Sequence, residues 1–82
     1  MQTIQEDGEI DRLRKALEDD NRIVELRQRV RKAAESQLVN GVIDTTDLLR
    51  KITDETTANL NRSTHEIELL QAIYKLKTTL NQ

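Results

Sequence analysis

Apolar residues recur every three or four places along most of this chain, and the recurrence breaks once. From Glu9 onward, Ile10, Leu17, Val24 and Leu38 share one heptad phase, with Arg31 interrupting it and Leu13 and Ala34 beside it. Ala16, Ile23 and Val30 occupy the adjacent phase. That spacing draws a stripe down one side of an α-helix, so the pattern predicts a first long helix over residues 9–40. Asp20 and Arg27 fall on the stripe side, so the seam is not purely apolar. On the outer faces an acid stands four places before a base at Asp11–Lys15, Glu18–Arg22 and Glu25–Arg29, the favourable orientation for such pairs. Residues 1–8 read as a frayed segment, with Gly8 a weak break.

The break in the pattern is "LVNGVIDTTDLL", residues 38–49. Gly41 suits the position just past a helix end, because it takes positive φ without a Cβ clash. Asp44 reads as an N-cap with Asp47 three places on, a capping-box arrangement at the positive end of the next helix. Ile43, directly before the cap, is placed to staple onto Leu48. Val42 has less local reason to be apolar. The turn is therefore expected at residues 41–44, a second helix over 45–80, and a tail at 81–82. Leu49, Ile52, Leu60, Ile67, Leu70, Ile73, Tyr74 and Leu80 are expected to mark the buried side of the second helix. Its middle thins to Thr56, Ala58, Asn59, Leu60 and Ser63, and "TDETTAN" has mediocre helix propensity, so packing must sustain it.

The expected fold is thus all-α, a long antiparallel two-helix coiled-coil hairpin roughly 45 Å in length at ~1.5 Å per residue. Composition agrees: Ala, Glu, Lys, Leu and Arg make up 37 of the 82 residues, a bias of long helices and coiled coils. A lone hairpin with one Tyr and no Phe or Trp buries little. The isolated chain is therefore expected to self-associate into a helical bundle, or to find further helices in a larger protein of which it reads as a segment. Net charge is -2, which offers no basic excess for nucleic acid or anionic lipid. No apolar run approaches the ~20 residues of a spanning helix, and residues 1–20 are too polar for a signal peptide.

Candidate chemistry is sparse. His65–Glu66 opens like the zincin motif, but Leu69 stands where the second histidine belongs. The chain's single His cannot supply a two-histidine metal site, so His65 is expected to be solvated. Asp19–Asp20 and Glu66/Glu68 are expected on solvated faces, since near neighbours on a helix point apart. "RQRVRK" (27–32) is the only basic cluster; Glu25 and Glu35 balance it, and no aromatic stacking partner accompanies it. Asn61–Arg62–Ser63 fits a glycosylation sequon but lies inside the second predicted helix. No nucleophile–base pair and no phosphate-cradling glycine loop occurs. The reading is of a protein that is not an enzyme, with no cofactor, no metal and no nucleic-acid partner.

Residues 34–82 resemble the C-terminal coiled-coil hairpin of the TolC-like outer membrane efflux proteins. The resemblance rests on Leu38, Gly41, Thr45/Thr46, Asp47, Leu48 and Leu49, followed by a long helix ending in Ala72, Tyr74 and Leu80. It covers somewhat over half the chain; residues 9–33 agree only as a generic preceding helix. The family's Gly after the terminal Leu is not matched, and the resembling stretch does not include the strands of its barrel. The resemblance implies a periplasmic segment of a Gram-negative outer membrane protein that does not itself cross the membrane. It implies trimeric assembly into a helical tunnel, with a periplasmic adaptor (membrane fusion) protein and an inner membrane pump as partners. It further implies export of small molecules or proteins. The turn, Asn40, Gly41, Val42, Ile43, Asp44, Thr45, Thr46 and Asp47, would be the adaptor-docking and gating tip, and Val42 and Ile43 would be apolar because a partner covers them. The plainer alternative is a structural hairpin or interaction module with no transport role.

Overall fold

The computed structural model describes the backbone of residues 2–81 and the side chains of residues 8–81. Met1 and Gln82, at the ends of the expected frayed segment and tail, lie outside the described residues. Two helices, α1 (Gln2–Val39) and α2 (Thr45–Leu80), pack antiparallel into an all-α hairpin measuring 62 × 14 × 13 Å. The rod exceeds the expected length because α1 runs unbroken through Gly8 instead of fraying there. One helical glycine costs only about 0.5–1 kcal/mol, and the helix is anchored directly after it by Ile10 and Leu13, both buried.

The seam follows a strict heptad alternation of three and four. In α1 it takes Ile10, Leu13, Leu17, Asp20, Val24, Arg31, Ala34 and Leu38, all buried or half-buried, while Arg27 in the same series stays exposed. In α2 it takes Leu48, Lys51, Glu55, Ala58, Arg62, His65, Leu69, Ala72, Leu76 and Thr79, again all buried or half-buried. At the open end of the hairpin, Ile10, Leu13 and Ala72 form the core with Leu69 and Leu76 against it. Further along, the seam turns polar. His65 Nδ1 lies 2.5 Å from Asp20 Oδ2, and Arg31 Nε donates to Glu55 Oε2 at 2.5 Å.

This arrangement corrects the expected buried side of α2. Leu49, Ile52, Leu60, Ile67, Leu70, Ile73, Tyr74 and Leu80 are all exposed, from 37% for Ile73 to 74% for Tyr74. The reason lies in α1. Its seam carries Asp20 and Arg31, and a buried charge is tolerable only against a partner that bonds it. His65 and Glu55 supply those bonds. Rotating α2 to bury its larger apolar stripe would strand both charges against hydrocarbon.

Further corrections follow from the same seam. His65 is not a solvated histidine: it is half-buried and bonded to Asp20, which is itself only 8% exposed. Asp20 therefore leaves the solvated face on which Asp19 remains. Arg31, within the basic cluster, is likewise turned into the seam. Its guanidinium pKa is raised first by the bond to Glu55 and then by the bond to Glu35. Of the expected helical ion pairs, Arg29 meets Glu25 at 2.6 Å, whereas Arg22 pairs with Asp19 at 3.3 Å rather than with Glu18.

Candidate interaction surfaces

The turn forms as its residue types dictate. Gly41 has φ +72°, a conformation strained for side chains with a Cβ. The Val42 N–H donates to the Gln37 carbonyl at 2.8 Å and the Gly41 N–H to the Leu38 carbonyl at 3.0 Å. Those two bonds are the Schellman pattern that closes a helix C-terminus. Three residues later, Asp44 adopts an extended backbone and opens α2. The Asp47 N–H donates to Asp44 Oδ1 at 2.9 Å, and the Asp44 N–H donates to Asp47 Oδ2 at 3.2 Å, completing the capping box. The reversal thus satisfies orphan donors and acceptors from both helix ends within a few residues.

Around this frame the eight residues of the expected tip sit together at one end of the rod. Asn40, Gly41, Val42, Asp44, Thr45 and Thr46 are exposed, and Ile43 and Asp47 are half-buried. Val42 is 69% exposed. Its backbone serves the Schellman closure while its side chain projects into solvent, so the local fold leaves that apolar group without a covering element.

The larger uncovered surfaces run along the rod. In α1 a second stripe lies one residue before five of the seam positions: Ile23, Leu26 and Ala33, which are exposed, and Ala16 and Val30, which are half-buried. In α2 a second stripe lies one residue after each seam position, with Leu49, Ile52, Leu70, Ile73 and Leu80 as its large members. In an antiparallel pair, one step backward on one helix and one step forward on the other turn to opposite sides of the ribbon. The hairpin therefore has an apolar strip on each broad face. The α1 strip borders a shallow groove lined by Ile23, Arg27, Asp54, Thr57, Ala58 and Asn61. Leu60, Ile67 and Tyr74 extend the apolar surface over the back of α2. Uncovered apolar area on this scale marks an interface.

Among the described residues, no group of three or more His, Cys, Asp or Glu side chains is placed to hold a metal ion. Glu66 is exposed beside Arg62 at 3.8 Å, and Asn61 sits exposed on a helix. No helix among the described residues is long and apolar enough to cross a membrane. Sequence reasoning missed the α2 strip as a surface. It found the Gly41 reversal and the Asp44–Asp47 capping box, because glycine and paired aspartates at fixed spacing are a local signal. The chain matches no protein-family model, no curated protein and no solved structure.

Proposed function

We propose that this hairpin is a periplasmic wall element of a TolC-like outer membrane efflux channel, with its turn as the tip that docks an adaptor protein and gates the channel. The reading is supported most by one observation: a tightly closed turn with an uncovered Val42 ends a hairpin whose two broad faces both stay apolar. The charges in the α1 seam leave the larger apolar stripe of α2 outside the hairpin, free for a neighbour to cover. A pair set among other helices buries its polar seam within and meets its neighbours through the outer strips. In that setting the segment transmits no chemistry. It lines a route for exported small molecules or proteins, assembles with like protomers and works with an adaptor and an inner membrane pump.

The test is Val42→Asp in the protein as it is expressed in its own cell. Val42 is 69% exposed and has little packing role within the hairpin, so helix content and abundance should be unchanged. Desolvating the valine is worth about 1.5–3 kcal/mol to a partner that buries it fully, and an unpaired charge there is costly. Drug susceptibility should rise at matched protein levels, and adaptor co-purification should fall in parallel. Normal efflux and normal adaptor capture would remove the docking role and leave a structural hairpin.

A further inference from the structure

The two outer strips differ in where their bulk lies, and the difference is complementary. The pairs Asp20–His65 and Arg31–Glu55 fix which residues of α1 and α2 stand at the same height. At the middle of the rod the α1 face carries Ile23, Leu26 and Val30. At those heights the opposite, α2 face carries the smaller Ser63, Asn59 and Thr56. Toward the ends the order inverts. Leu70 stands level with Ala16 on the far face, and Ile52 stands level with Ala33. At Ala16/Leu70, Ile23/Ser63, Leu26/Asn59 and Ala33/Ile52 one face is high where the other is low; Val30 and Thr56 are near in size, and Ile73 and Leu49 stand level with the long Arg12 and Gln37.

From this we infer that the α1 face of one hairpin seats on the α2 face of a second copy, level with it and pointing the same way. The contact is heterologous. A two-fold contact would press each face on itself, bulk on bulk for Ile23, Leu26 and Val30 about their own centre, and would leave the second face uncovered. The front-to-back contact covers both faces with a single kind of interface, and it alternates helix directions along the row, as neighbouring helices prefer. One level brings together two acids, Asp19 and Glu66, but each is held by an arginine of its own chain, Arg22 and Arg62.

This inference rests on the wall reading only for its biological setting, since the contact itself is tested with the chain alone. The chain contains no cysteine, so introduced thiols report without background. Ile23→Cys and Ser63→Cys are made in separate chains, as are Val30→Cys and Thr56→Cys, and each is checked for helicity by circular dichroism. On mixing under mild oxidation, Ile23→Cys with Ser63→Cys should form disulfide-linked dimers, and so should Val30→Cys with Thr56→Cys. Within one hairpin these positions lie on opposite faces, beyond the ~7 Å Cα separation a disulfide spans. Ile23→Cys alone should not dimerise. Its mixture with Ile73→Cys, displaced by ten residues or about 15 Å along the helix, should not dimerise either. Strong linking of Ile23→Cys to itself would overturn the front-to-back contact in favour of a two-fold one. Equal linking to Ser63→Cys and Ile73→Cys would overturn the register. A chain that sediments as a monomer with no linking from either matched pair would overturn the inference altogether. Any of these outcomes leaves the Val42→Asp efflux result standing or falling by itself.

Discussion

Substituting the Asp20–His65 pair asks whether the polar seam stabilises the hairpin or only specifies it. The two side chains are unequally covered: the Asp20 side chain is 11% exposed and that of His65 31% exposed. Removing one partner therefore strands the other at different cost. His65→Leu leaves a carboxylate almost wholly out of water, and losing a bond to a charged group costs about 1.5–3 kcal/mol. We expect the upper part of that range, with the leucine's own burial returning some of it. Asp20→Leu leaves an imidazole with a third of its surface in solvent, so it should cost less, about 1 kcal/mol or below. The double leucine variant removes both polar groups and joins Leu17 and Leu69 in an apolar seam. Replacing a buried polar pair by packed hydrocarbon is often neutral or stabilising by about 1–4 kcal/mol, so the double variant should melt at or above the wild-type temperature. The assay is thermal and urea unfolding by far-UV circular dichroism at fixed protein concentration, with each kcal/mol moving the midpoint by about 4–8 °C in a chain of this size. The reasoning fails if Asp20→Leu costs more than His65→Leu. It fails equally if the double variant loses as much as both single variants together.

Other expectations are simpler. Gly41→Val should destabilise by about 1–3 kcal/mol through backbone strain; nothing lies within 4 Å of the added Cβ, so Gly41→Asn, which tolerates positive φ, should recover most of the loss in the same melts. Asp44→Ala should cost about 0.5–2 kcal/mol as a lost cap, with Asp47→Ala costing less because Asp44 keeps its own bond to the Asp47 N–H; equal losses would mean the two carboxylates act as one unit. Ile67→Lys, on the uncovered back of α2, should leave helicity intact and reduce the sedimenting mass of the self-associated chain; lost helicity instead would mean that face is packed within the hairpin.

Local signals in the sequence carried the turn. Gly41, Asp44 and Asp47 each act on backbone within a few residues, so their types and spacing determine the geometry without reference to anything distant. The first helix was legible in part for a related reason: Ile10, Leu13, Leu17, Val24 and Leu38 do lie on the seam, although Ile23, expected on the same stripe, is exposed. The second helix was misjudged because a count of apolar residues finds the largest stripe, and the largest stripe of α2 faces outward. Which stripe becomes the seam is decided by the partner helix. Asp20 and Arg31 were visible on the α1 stripe, and a search for a base and an acid at matching heptad places in α2 would have found His65 and Glu55. The exposed face became readable only once the seam had fixed which residues of the two helices stand level.

The polar steps in the seam also act as a vernier between the helices. Slide α2 by one heptad and part of the apolar seam still finds apolar partners, Ile10 against Leu69 in one sense and Leu17 against Leu76 in the other. The charged positions lose theirs. One slip sets Arg31 against Leu48 and Asp20 against Ala58; the opposite slip sets Arg31 against Arg62 and Asp20 against Ala72. A misaligned copy therefore loses two bonded pairs and gains an unpaired or repelling charge. A fully apolar seam would hold more tightly and read its alignment less accurately. In a rod whose outer faces must also meet neighbours at fixed heights, an error of one heptad, about 10 Å, would carry through to every contact outside it.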